Sequence, residues 1–335
     1  MSKRILAAAC AAATALALSA CSTTASSGGG ASKDGTLTVM ASFYPLQYLA
    51  EKVGGEHVTV TSLTPAGAEP HDLELSPKMV DSLSNADAVV YLAGFQSAVD
   101  EAIEQHAPKT VIDVSPAAEL VEVDSSANHP AEEEGHDHEA QSGETEAHDH
   151  DHEGHDHEGH SHDMSADPHF WLDPVRMASA ATLVGDKLAE ADPANAETYK
   201  ANAKALNEEL TALGDDLVMK TSNCQVTTFV TAHTAFGYLA DRTGLTQVGI
   251  SGLDPESSPS PARLAEIGQI AKDQGVTTIF TEALIDPKVA QTLADDLGLS
   301  TAVLDPLESQ TDASKDYAAV MNDNIAALTK ANNCQ

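Results

Sequence analysis

The chain has 335 residues, enough for two ordinary domains that each bury their own core. It carries 52 Asp and Glu against 17 Lys and Arg, a formal charge of −35, which excludes nucleic-acid binding because phosphate recognition needs clustered cations. A small cation suits that balance better.

The N-terminus places Lys3 and Arg4 before an apolar run from Ile5 to about Ala17, then Leu18-Ser19-Ala20-Cys21. This reads as an export signal over residues 1–20, too short to span a bilayer. Leu-Ser-Ala-Cys resembles a bacterial lipobox, which would make Cys21 the lipidated first residue of a mature protein held on the outer face of the cell membrane. The alternative is an ordinary cleaved signal with a chance cysteine. Residues 21–35 then form the anchor and a Ser/Gly-rich tether of roughly 20 Å reach. Cys224 and Cys334 are left for the globular part, and outside the cytoplasm two such thiols usually pair, although two free thiols are also open.

Residues 36–124 alternate β-branched runs with helical patterns. Leu37–Met40, Val58–Leu63, Ala88–Leu92 and Thr110–Val114 read as strands, with helices near Leu46–Val53, Pro77–Asn85 and Ser97–Gln105. Such alternation predicts parallel strands with crossover helices, an α/β lobe.

Residues 125–165 break the pattern. They have almost no apolar side chains and hold His136, His138, His148, His150, His152, His155, His157, His160 and His162 among Asp and Glu. Such a tract cannot bury enough surface to fold alone, so a disordered, metal-collecting insertion is expected, with a merely solubilising acidic loop as the plainer reading. Residues 166–192 return to the first lobe. Asp192-Pro193 then looks like a helix cap, and Tyr199, Ala203, Leu206, Leu210, Leu213 and Leu217 make one apolar stripe, predicting a long connecting helix over 193–220. Ser76-Pro77, Asp173-Pro174, Ser260-Pro261 and Asp286-Pro287 repeat the cap-plus-proline device and mark further helix starts. Residues 221–335 resume the α/β rhythm, with strands at Val226–Thr231, Gln247–Ile250, Thr277–Thr281 and Thr301–Leu304. The expected fold is two doubly wound α/β lobes joined by a long rigid helix.

Outside the acidic tract the histidines are His57, His71, His106, His169 and His233. His57 and His106 sit among polar residues and read as surface side chains. His71 and His169 each follow a proline that stiffens the loop, and His233 lies just past a predicted strand, where doubly wound sheets bind ligands. Isolated histidines are more often hydrogen-bonded fixtures than ligands, so spacing alone leaves each of the three open.

Several segments together carry a resemblance. They are Ser42-Phe43-Tyr44-Pro45-Leu46, Glu69-Pro70-His71-Asp72-Leu73-Glu74-Leu75-Ser76-Pro77, Asp167-Pro168-His169-Phe170-Trp171-Leu172-Asp173-Pro174, Ala232-His233-Thr234-Ala235-Phe236-Gly237-Tyr238-Leu239, Phe280-Thr281-Glu282 and Leu304-Asp305-Pro306-Leu307. In this order, behind a lipobox and around a His-rich insertion, they resemble the zinc/manganese-class solute-binding lipoproteins of bacterial ABC importers. The resemblance implies a metal between the lobes on His71, His169 and His233, with Asp305, Glu69 or a water in the fourth place and Glu282 orienting an imidazole. Histidine at position 233, where manganese members usually have glutamate, implies Zn2+. It also implies a monomeric receptor that delivers Zn2+ to a membrane permease without catalysis, the His-rich loop serving as a low-affinity antenna or sensor. A surface metal buffer or adhesin is the alternative. A secreted zinc hydrolase is disfavoured, because the chain has neither His-Glu-x-x-His nor Gly-x-Ser-x-Gly.

Overall fold

The computed structural model describes residues 35–106, 108–122 and 166–335. The signal, Cys21 and the tract histidines lie outside the described residues, as does the tether apart from Gly35. The first lobe runs β1 (Leu37–Ala41), α1 (Tyr44–Gly54), β2 (Val58–Ser62), α2 (Pro77–Asn85), β3 (Ala88–Tyr91), α3 (Ser97–His106), β4 (Thr110–Asp113) and the short α4 (Ser115–Ala118). Two helices follow, α5 (Pro174–Ala191) and α6 (Ala196–Thr221). The second lobe runs β5 (Thr228–Thr231), α7 (Gly237–Thr243), β6 (Thr246–Gly249), α8 (Pro261–Asp273), β7 (Thr278–Thr281), α9 (Lys288–Leu297), β8 (Ser300–Val303) and α10 (Tyr317–Ala331). Each sheet is parallel, and the orders β2-β1-β3-β4 and β6-β5-β7-β8 are the same winding used twice.

Alternation along the strands decides what each face touches. Val39, Ala41, Ala88 and Val90 enter a large core, while Met40 and Val89 point the other way and pack with Leu63, Leu83 and Ile103. In the second sheet Phe229 and Phe280 enter that same large core, and Val230 and Ile279 pack outward with Ile250 and Ile267. The two lobes therefore share one apolar interior, to which α5 and α6 contribute Val184, Leu188, Tyr199, Leu206 and Leu210. Both lobes lie within one compact unit.

The cap-plus-proline pairs behave as caps at three positions. Ser76, Asp173 and Ser260 accept the N–H of Met79, Val175 and Arg263, and each is followed by proline in the first turn. Asp192-Pro193 does not begin the long helix, which spans 26 residues from Ala196. The Asp192 carboxylate instead accepts the Asn195 amide at 2.7 Å and the Tyr199 hydroxyl at 2.9 Å, so it closes the turn between α5 and α6. The long helix α6 joins the two lobes, and α5 packs along it. Glycines let them approach closely: a Cβ on Gly185 would strike Ala203, and one on Gly214 would strike Val175. Cys224, just past α6, is joined by a disulfide to Cys334, just past α10. Among the described residues no helix is long and apolar enough to cross a membrane.

Candidate metal centre

Four elements bring side chains to one point. His71 stands in the loop after β2, where both carboxylate oxygens of Glu69 accept its backbone N–H, at 3.0 and 3.2 Å. His169 precedes a 3-10 turn, Phe170–Leu172, and Asp167 Oδ1 accepts its backbone N–H at 3.0 Å and lies 2.8 Å from its Nδ1. His233 follows β5, with Glu282 beyond β7 lying 3.0 Å from its backbone nitrogen and 2.7 Å from its Nδ1. Glu308, in the loop after β8, places Oε1 3.4 Å from His71 Nε2, 3.4 Å from His169 Nε2 and 3.2 Å from His233 Nε2. The coordinating atoms all lie within 4.8 Å of one another.

The carboxylates behind His169 and His233 set their tautomers. An imidazole that donates Nδ1–H to a carboxylate turns a bare Nε2 lone pair to the opposite side, here toward the other ligands. His169, His233 and Glu308 have no exposed side-chain surface, and His71 has 6%. Even so, His233 Nε2 and Glu308 Oε2 are buried without a hydrogen-bond partner. Buried polar atoms are rarely left so, and a cation among them would satisfy both.

Electrostatics point the same way. Burial alone would lower the His233 pKa, but Glu282 and Glu308 outweigh it and push it up to about 10. His169 is raised against burial by Asp167 and Glu308, whereas at His71 burial prevails and the pKa falls. Burial works to raise Glu308, yet the three imidazoles hold it well below the usual carboxylate range. Burial first, and then the Glu308 charge, lift Glu69 to about 7. Three nitrogens and one carboxylate oxygen form a set suited to four-coordinate zinc.

His71, His169 and His233 thus meet, as the resemblance implied, with Glu282 at the back of His233. Asp305 does not join them. Its Oδ1 accepts the Leu307 N–H at 2.8 Å, the turn that a short Asp side chain makes with its own backbone two residues on. Glu308, three residues later, is the carboxylate in the cluster, and sequence reasoning passed over it. Glu69 serves the His71 backbone rather than the cluster. The signal for Glu308 was faint: a second acid, beside the apolar Leu307, in the same post-strand loop.

The profile of the family described as "Zinc-uptake complex component A periplasmic" (ZnuA) matches residues 39–331. Zinc-binding protein AdcA of Streptococcus pyogenes serotype M3 is 35% identical over 303 residues, covering 88% of this chain and 56% of that protein. The chain therefore spans about half the length of the streptococcal relatives it matches. The high-affinity zinc uptake system protein ZnuA of Bacillus subtilis is 34% identical over 307 residues, covering 89% of this chain and 88% of that one. Among solved structures, the Zn(II)-bound ZnuA-like domain of Streptococcus pneumoniae AdcA superposes with a TM-score of 0.69 at 30% identity, over 89% of this chain and 100% of that one. Laminin-binding protein Lmb of Streptococcus agalactiae, described as bifunctional with adhesin and metal-transporting activity, gives 0.72 at 29% identity, over 88% and 99%. With its two like-wound lobes and the histidines converging between them, the chain belongs to the family of zinc-uptake complex component A.

Proposed function

We propose that the chain is an extracytoplasmic receptor that captures Zn2+ on His71, His169, His233 and Glu308 and hands it to the permease of an ABC importer. The observation that carries this reading is the convergence of three Nε2 atoms on one buried carboxylate oxygen. Zinc is the cargo, so binding and release are the whole function and no reaction is performed on it. Nitrogen-rich coordination favours zinc over harder manganese. The names of the relatives support zinc uptake as the setting. The Leu-Ser-Ala-Cys motif supports a lipid anchor at Cys21 on the outer face of the membrane, and the receptor acts as a monomer. The tract histidines from His136 to His162 form a low-affinity antenna that raises the local zinc concentration.

Chelator competition with elemental analysis tests this reading on the chain lacking residues 132–163, beside the same chain carrying His233→Ala. One tight zinc, lost or much weakened in the substituted protein, is the expected result. Zinc held only when the tract is present would make the protein a buffer and remove the ligand set.

The likeness to Lmb favours a second reading, a surface adhesin. Laminin binding measured on immobilised laminin, set beside growth in chelated medium, separates the two.

A further inference from the structure

The loop that carries Glu308 is held from three sides. Asn324, buried on α10, spans Asp305: its Oδ1 accepts the Asp305 N–H at 2.8 Å and its Nδ2 donates to the Asp305 carbonyl at 2.7 Å. Asp305 in turn accepts the Leu307 N–H at 2.8 Å. From the first lobe's side, the indole N–H of Trp171 donates to the Pro306 carbonyl at 2.7 Å. Trp171 is two residues from His169, and its own carbonyl accepts the Tyr317 hydroxyl of α10 at 2.5 Å.

Leu307, between these ties, is buried and sits at φ 60°, a left-handed conformation that a leucine adopts only when its surroundings impose it. The next residue is Glu308. The strained turn and the clasp around it therefore lie immediately before the one carboxylate that faces the three imidazoles.

We infer that Asp305 and Asn324 are positioning residues for the metal: together they fix the Asp305-Pro306-Leu307 turn so that Glu308 Oε1 is already aimed at the ion's place before the ion arrives. The inference rests on the proposed role of Glu308 as a ligand. Without the clasp, the loop would have to be ordered at each binding event, and affinity would fall accordingly. Asp305 thereby acts on the ion without touching it.

The test is a double-mutant cycle on zinc affinity, read by chelator competition on the full chain with the melting temperature of the metal-free protein followed alongside. Asn324→Leu weakens zinc by about 10–100-fold, the range for groups that orient metal ligands. Glu308→Ala weakens it as well, and adding Asn324→Leu to Glu308→Ala produces no further loss, because the clasp works through that carboxylate alone. Losses that multiply in the double variant would overturn the inference, since the clasp would then support the fold at large. If Asn324→Leu fails to fold, Asp305→Ala takes its place in the same cycle. A Glu308→Ala protein that binds zinc as tightly as the parent removes instead the ligand set on which the inference stands.

Discussion

Glu282 grips His233 twice, with Oε1 3.0 Å from the backbone nitrogen and Oε2 2.7 Å from Nδ1. The first contact fixes where the residue sits and the second fixes which ring nitrogen is free. Glu282→Gln keeps the shape but removes the charge that makes the imidazole a strong donor. Zinc affinity should fall by about 10–100-fold with the fold intact. Chelator competition beside circular dichroism checks this, and unchanged affinity would mean that Glu282 is only a structural tie.

The same pair sets a pH dependence. His233 faces Glu282, Glu308, His71 and His169, and its pKa is raised from 6.5 to about 10 in the metal-free protein. A raised histidine pKa contributes stability that is complete below pH 6.5 and is lost as the pH climbs through 10. Zinc needs the neutral ring, so its affinity runs the opposite way. Affinity should continue to rise between about pH 7 and 9. Binding should also release protons, measurable by calorimetry in buffers of different ionisation heat. Affinity that levels off by about pH 7 would argue against His233 as the controlling proton.

Cys224 and Cys334 are 110 positions apart, so their bridge closes a loop that takes in the whole second lobe. Reducing it, or replacing both cysteines with serine, should cost about 4–5 kcal/mol of stability in the chain-entropy account. Urea unfolding of the metal-free protein measures the loss. Zinc affinity of the folded protein should change little, because neither cysteine touches the four ligands.

Deleting residues 132–163 should lower the total zinc bound at high metal concentration and slow uptake when zinc is scarce, leaving one tight ion. Equilibrium dialysis across a wide range of free zinc distinguishes the two classes of site. If neither total zinc nor uptake changes, the antenna has no basis.

The three histidines stayed open on their own spacing and became legible only through the motif segments that carry the family resemblance. Proline precedes His71 and His169, and His233 comes two residues after β5. The sheets were legible from the residues themselves, since β-branched runs between cap-plus-proline helix starts leave few alternatives. Glu308 was not. A lone acid in a loop normally seeks water, and only the tertiary arrangement, which buries it completely against three imidazoles, gives it another role. Asp305 was named for the fourth place through the resemblance of Leu304-Asp305-Pro306-Leu307, yet its short side chain is taken up by the Leu307 backbone N–H. The start of the long helix was misplaced on similar grounds. Asp192-Pro193 has the composition of a cap, but Asn195 and Tyr199 take up its carboxylate.

Gly185 on α5 faces Ala203, and Gly214 on α6 faces Val175, so each helix offers a notch to the other at well-separated points along the pair. Two notches of this kind act as a lock against shear, because sliding one helix along the other would drive side chains into backbone at both ends. The paired helices therefore form a spine that resists slip, and both lobes are hung on a support whose length and register are fixed.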